Sequence, residues 1–318
     1  EPEVESFVSD PDAITPMQTA SISGGEVWIK RDDLFEFAGA RGSKARAGRA
    51  IGLSAAGLCV AGSRNAPMLS RVARIGEEIG IPVRCHVAGS KTKTDQEKDA
   101  EKHGAVLIKH KVNYLRALVS KSRREAEELG WRHIELGIES EEYFTVNSRQ
   151  VANIPREAKR IVVCVGSGTG MASVLLGLAD AGIDIPVLGV KVGIDPVKLL
   201  DRHVGNWREV ATLVDSGSEY DTRAPVTRLG GVELDPHYEA QCIPFLEPGD
   251  CLYVLACRTV DDGALEESRE QAWQKGIAMC DLKEIASVFK EHDDGLILGA
   301  FSKVNESQVA EAWTSGNL

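Results

Sequence analysis

Two short stretches carry residue types that could do chemistry together. The first is "ARGSKARAGRA", residues 40–50, in which Lys44 follows a Gly-Ser break and precedes a run of good helix formers. That pattern places Lys44 at or just inside a helix start. The positive end of a helix does not favour a lysine, so an amine placed there suggests a task other than helix stability. The second stretch is "RIVVCVGSGTGMASVLLGLADAG", residues 160–182: a buried strand, the turn Gly166-Ser167-Gly168-Thr169-Gly170, then an apolar helix. Glycines allow close approach of an anion to the backbone, and the N–H groups of such a turn point at it. The hydroxyls of Ser167 and Thr169 add donors. The turn lacks the Gly-Lys-Ser/Thr ending of a P-loop, and Lys191 stands where a dinucleotide site would carry an acid. An amine at a fixed point plus a phosphate cradle suggests pyridoxal 5′-phosphate held by a lysine Schiff base.

The elements that must position these groups alternate along the chain. Apolar runs at 26–30, 58–61, 82–88, 105–110, 132–136, 160–165, 185–192, 211–215 and 251–256 read as strands. Helical patterns occupy 45–56, 67–79, 95–103, 113–129, 142–152, 170–182 and 236–245. This alternation predicts an α/β protein with mostly parallel sheets, covered on both faces because the strands are apolar nearly throughout. No Pro-, Gly- or Ser-rich linker divides the chain, so two domains would be interleaved. The expected division is a large domain from 1–45 and 146–258, a small domain at 46–145, and a helical C-terminal extension at 259–318.

The segment "VWIKRDDLFEFAGARGSKARAGRAI" resembles the start of the aminocyclopropane-carboxylate deaminase and D-cysteine desulfhydrase family, fold-type II pyridoxal phosphate enzymes of the tryptophan synthase β-like superfamily. Lys30-Arg31-Asp32-Asp33 and Gly42-Ser43-Lys44-Ala45-Arg46 match its early motif, and "GVELDPHYEAQC" (231–242) matches its Leu-x-Asp-Pro-x-Tyr motif. The resemblance implies two interleaved three-layer α/β domains, Lys44 as the Schiff-base lysine and Gly166–Gly170 as the phosphate loop. It implies further that Tyr238 orients or exchanges protons with substrate and that Glu239 meets the pyridine nitrogen, as in the deaminase branch. Taken by themselves, these two residues also read as a core tyrosine and a helix-start glutamate. "VAGSRNAPMLSRVARIGEEIGIPVRCHV" (60–87) matches the family's Gly-x-x-Ser-Asn stretch, but Arg64 follows Ser63 and Asn65 comes one residue later. Ser63 with Asn65 or Arg64 would then sit near the ring's 3′-oxygen and the substrate carboxylate; a solvent-facing Arg64 is the other reading. Tyr220 matches a family loop more loosely. Lys44 and Tyr238 are closer in sequence than in typical members, with the missing length between 193 and 232, and the tail after 258 is longer.

The function implied is a pyridoxal phosphate-dependent deaminase or lyase acting on a small amino acid by deamination or β-elimination. Alternatives are a β-replacement synthase and a non-catalytic binding protein of the same fold. A homodimer is the family's usual assembly. A net charge of −11 over 318 residues argues against nucleic-acid partners. No apolar run reaches the ~20 residues of a membrane helix, and the acidic N-terminal segment does not resemble a signal peptide. Seven cysteines form no CxxC pair, so buried reduced thiols and a cytoplasmic setting are expected. The histidines show no ligand spacing beyond His103 and His110, which straddle a helix-to-strand turn, and no metal site is expected.

Overall fold

The expected α/β alternation is present in the computed structural model, which describes residues 7–64, 66–111, 114–193, 195–218 and 222–255. These belong to one compact unit. The expected C-terminal extension, 259–318, lies outside the described residues, as do Asn65 and Tyr220.

The chain opens with β1 (Met17–Ile22) and β2 (Gly25–Arg31), followed by a short hairpin of β3 (Glu36–Phe37) and β4 (Ala40–Arg41). Next come α1 (Gly42–Leu53), β5 (Leu58–Ala61), α2 (Pro67–Ile79), β6 (Val83–Ala88) and α3 (Asp95–Lys102). They are followed by β7 (Val106–His110), α4 (Leu115–Leu129), β8 (Arg132–Ile134) and α5 (Glu141–Ser148). The later part contains β9 (Arg160–Val165), α6 (Thr169–Asp180), β10 (Val187–Lys191), α7 (Val197–His203) and α8 (Trp207–Val210). It closes with β11 (Ala211–Asp215), the hairpin β12 (Arg228–Leu229) and β13 (Val232–Glu233), and β14 (Asp250–Val254).

Two sheets organise these elements. The larger has the order β1-β2-β14-β9-β10-β11, parallel except for β1 at its edge; the smaller, β7-β6-β5-β8, is wholly parallel. Inner strands such as "RIVVCV" bury both faces: Ile161, Val163 and Val165 pack into one apolar cluster, Val162 and Cys164 into another. α2 lays Leu69, Val72 and Ala73 on the face of the small sheet that carries Val60 and Cys85. α4 covers the opposite face. Among the described residues, no helix is long and apolar enough to cross a membrane. Cys59, Cys85, Cys164, Cys242 and Cys251 are buried and unbridged.

The Lys30-Arg31-Asp32-Asp33 motif is a buried anchor for α1. Asp32 and Arg46 form an ion pair with both side chains fully buried, and the Arg46 guanidinium lies 4.3 Å from the Phe35 ring centroid. Lys30 Nζ donates to the Thr15 carbonyl (2.6 Å) and to Asn153 Oδ1 (2.8 Å). Burial lowers the Lys30 pKa to about 8, against the opposing pull of Asp32. Arg31 turns back onto Asp33 at 2.8 Å. The pair between Asp32 and Arg46 therefore fixes α1 to the end of β2, two residues beyond Lys44. Removing one partner leaves a buried, uncompensated charge, which costs about 3–5 kcal/mol. Asp32→Ala is expected to lose that much in urea unfolding; a loss below about 1 kcal/mol would show that the pair does not hold the helix.

Candidate active site

The carboxyl ends of β9, β10 and β14 open onto one cavity of about 250 Å³, where open parallel sheets usually bind ligands. Its walls bring together Lys44, the Gly166–Gly170 turn, Tyr238 and Glu239, residues separated by nearly the whole described sequence.

Lys44 enters from the first turn of α1. The residue before it is locked on several sides. The Ser43 N–H donates to the Leu255 carbonyl (3.0 Å), Tyr143 Oη donates to Ser43 Oγ (2.9 Å), and Asn147 Nδ2 donates to the Ser43 carbonyl (3.1 Å). The lysine side chain itself is half-buried and makes no hydrogen bond or ion pair among the described residues. Its Nζ lies 6.0 Å from the centroid of the Tyr238 ring. The amine is thus presented by a fixed backbone.

The turn after β9 is shaped for an anion. Gly168 takes φ +99° as the residue capping α6, and it supplies no side-chain cap, so the first N–H groups of that twelve-residue helix face the cavity without a side chain across them. A Cβ on Gly168 would meet Pro196 Cβ at 2.8 Å, and one on Gly166 would meet Tyr238 Cε1 at 3.1 Å. Ser167 Oγ and Thr169 Oγ1 lie 3.0 Å apart, and Thr169 Oγ1 donates to the Gly137 carbonyl at 3.3 Å. Beside Gly137, buried Ile138 adopts φ +59°. That conformation is strained for a β-branched residue and typical of backbone over-determined at a functional site.

Glu239 is 1% exposed. Burial, then the charge of Asp235, pushes its pKa up to about 8, with Lys44 pulling the other way. It lies at the start of a 3-10 helix, Glu239–Phe245, that contains Pro244. The helical pattern expected at 236–245 is met over its later part by this 3-10 helix.

Ser63 and Arg64 do not line this cavity. Ser63 is exposed. Arg64 is engaged by Glu97, with Nε 2.9 Å from Oε1 and Nη2 2.8 Å from Oε2, and by the Thr92 carbonyl. This ties the loop after β5 to the start of α3, where Thr94 and Glu97 form a capping box. The lining also includes Ser43, Gly137, Tyr143 and Gly193, which sequence reasoning missed. The spacing of Tyr143 and Asn147, four apart on one helix face, was the available signal for two of the positioning residues.

No family model matches the chain, and no curated protein does. Solved structures do. An ACC deaminase homologue superposes with TM-score 0.63 at 21% identity, covering 79% of this chain and 91% of that one. The fold is that of the fold-type II pyridoxal phosphate enzymes. An O-ureido-L-serine synthase matches with TM-score 0.57 at 13% identity, covering 80% of this chain and 92% of its own. Maize serine racemase matches with TM-score 0.57 at 16% identity, covering 82% and 93%.

A carboxyl that keeps its proton to about 8 when folded, against an ordinary value of 4.5, makes the folded chain lose stability as pH rises through that window. Glu239→Gln is expected to flatten the pH dependence of the thermal midpoint of the cofactor-free chain across the same window. Parallel curves for the variant and the parent would show that Glu239 is not the group responsible.

Proposed function

We propose that the chain is a pyridoxal 5′-phosphate-dependent enzyme that deaminates or β-eliminates a small amino acid, with Lys44 as the lysine that holds the cofactor. The observation that carries this is the convergence of an amine, a glycine-hydroxyl anion cradle and a buried carboxyl on one cavity. Each matches one end or edge of that cofactor, and none of the three alone would identify it. The fold shared with solved structures of an ACC deaminase homologue, an O-ureido-L-serine synthase and a serine racemase supports the reading.

When bound, the cofactor supplies an aldehyde for an amine to condense with and an electron-poor ring that accepts the electron pair of a bond broken at the substrate α-carbon. The chain's residues do the rest. The N–H groups and hydroxyls of Ser167–Gly170 bind the phosphate. Glu239 shares or gives its proton at the ring nitrogen, and its buried, proton-holding state suits a partner that becomes cationic. Lys44, with its amine free, would move a proton at the α- or β-carbon of the substrate. Tyr238, packed against the Gly166 edge, limits the substrate side of the cavity and offers a hydroxyl to orient it.

The test is an absorbance titration with pyridoxal phosphate, wild type beside Lys44→Ala, followed by ammonia release from small amino acids. The wild type is expected to develop a visible band that Lys44→Ala lacks, and the variant's turnover is expected to fall at least about a hundredfold. Cofactor binding with function intact in Lys44→Ala would leave a binding protein of the same fold and sink the enzymatic reading.

A further inference from the structure

The layer between the small sheet and α4 is polar, and the chemistry above makes no use of it. β5 and β6 pair in parallel with Cys59 opposite Arg84 and Ala61 opposite His86, so Cys59, Arg84 and His86 project from one face. α4 covers that face and brings Glu125 to it. Cys59 is fully buried and His86 is 1% exposed. One ligand atom from each of Cys59, His86 and Glu125 lies within 4.8 Å of the others.

His86 Nε2 and Glu125 Oε2 are both buried and lie 2.5 Å apart, the separation of an imidazole and a carboxylate that share a proton. A metal ion bound to both atoms would take the place of that proton, with the two side chains moving apart to its ligand spacing. Surrounding contacts aim both atoms inward. His86 Nδ1 is 2.9 Å from His110 Nε2, so the ring proton has a second acceptor there, and moving it to Nδ1 frees Nε2 for a metal ion. Arg84 Nη2 holds Glu125 Oε1 at 2.7 Å and leaves Oε2 toward the histidine. Such outer partners fix the tautomer of a ligating histidine and the rotamer of a ligating carboxylate.

We propose that Cys59, His86 and Glu125 bind a divalent transition-metal ion of the zinc class, separately from the Lys44 cavity. Sulfur, imidazole nitrogen and carboxylate oxygen are zinc's donor set, and three protein ligands leave a fourth position for water. Burial, reinforced by the Glu125 charge, pushes the Cys59 thiol up to about 11. A dication reverses the balance at sulfur: the metal–sulfur bond forms, the S–H bond breaks, and the proton passes to solvent. The resulting thiolate and carboxylate neutralise the ion.

The experiment is equilibrium dialysis of the chelator-treated full chain against zinc and, in parallel, cobalt(II), for the wild type, Cys59→Ser and Glu125→Gln. Circular dichroism checks the fold of each. The wild type is expected to take up one ion per chain and to show a thiolate-to-cobalt charge-transfer band. Both variants are expected to lose at least about tenfold in affinity, and Cys59→Ser to lose the band. Glu125 is half-exposed on α4, so Glu125→Gln decides the matter if Cys59→Ser misfolds. Absent binding, or equal binding in a folded variant and the wild type, would overturn the site. Neither result alters the pyridoxal phosphate titration, which reads the other cavity.

Discussion

The buried pair between Asp32 and Arg46 is the constraint on which the rest of the site depends. It joins the end of β2 to the first turns of α1 with both side chains fully buried, where neither charge tolerates loss of the other. Ser43, gripped by Leu255, Tyr143 and Asn147, adds the second fixed point. Lys44 lies between these two anchors. A long, rotamer-rich side chain gains little from local packing, so its useful position comes from a backbone that cannot move.

The opposite wall follows a different logic. There the chain withholds side chains. Gly166 and Gly168 leave the N-terminus of α6 bare, and Tyr238 closes the space that a Cβ at Gly166 would fill. Strain at Ile138 is part of the same construction, because the Gly137 carbonyl must meet Thr169 and the Gly137 backbone must pass close to Ser167. Glu239 is tolerated at its buried position by holding its proton. Fixed amine, bare helix end and protonated carboxyl are three separate solutions to placing polar chemistry in a buried cleft.

Much of this was legible in the sequence where the signal is local. The strands at 58–61, 160–165 and 211–215 and the helix at 67–79 follow directly from apolar runs, β-branched content and the Pro67 and Gly80 boundaries. β1 was missed because "MQTASI" is an edge strand that packs only partly and so carries little apolar signal. The short α7 and α8 are tied to each other by the hydrogen bond from Trp207 Nε1 to Asp201, and helices of seven and four residues carry little periodic signal. Lys44 and the glycine turn stood out because glycine and a misplaced lysine are locally costly. Arg64 did not reveal its partner, since Glu97 is 33 residues away and comes near only when the loop after β5 meets α3. The Cys59, His86 and Glu125 cluster was invisible for the same reason: parallel strands and a covering helix bring together residues with no motif spacing.

The central claim is that one lysine of this chain, Lys44, is the amine that meets the cofactor. The most direct test is borohydride reduction of the chain loaded with pyridoxal phosphate, followed by peptide mapping of the label. A single label on the peptide containing Lys44 is the predicted result. A label on another lysine, or none at saturating cofactor, would contradict the account.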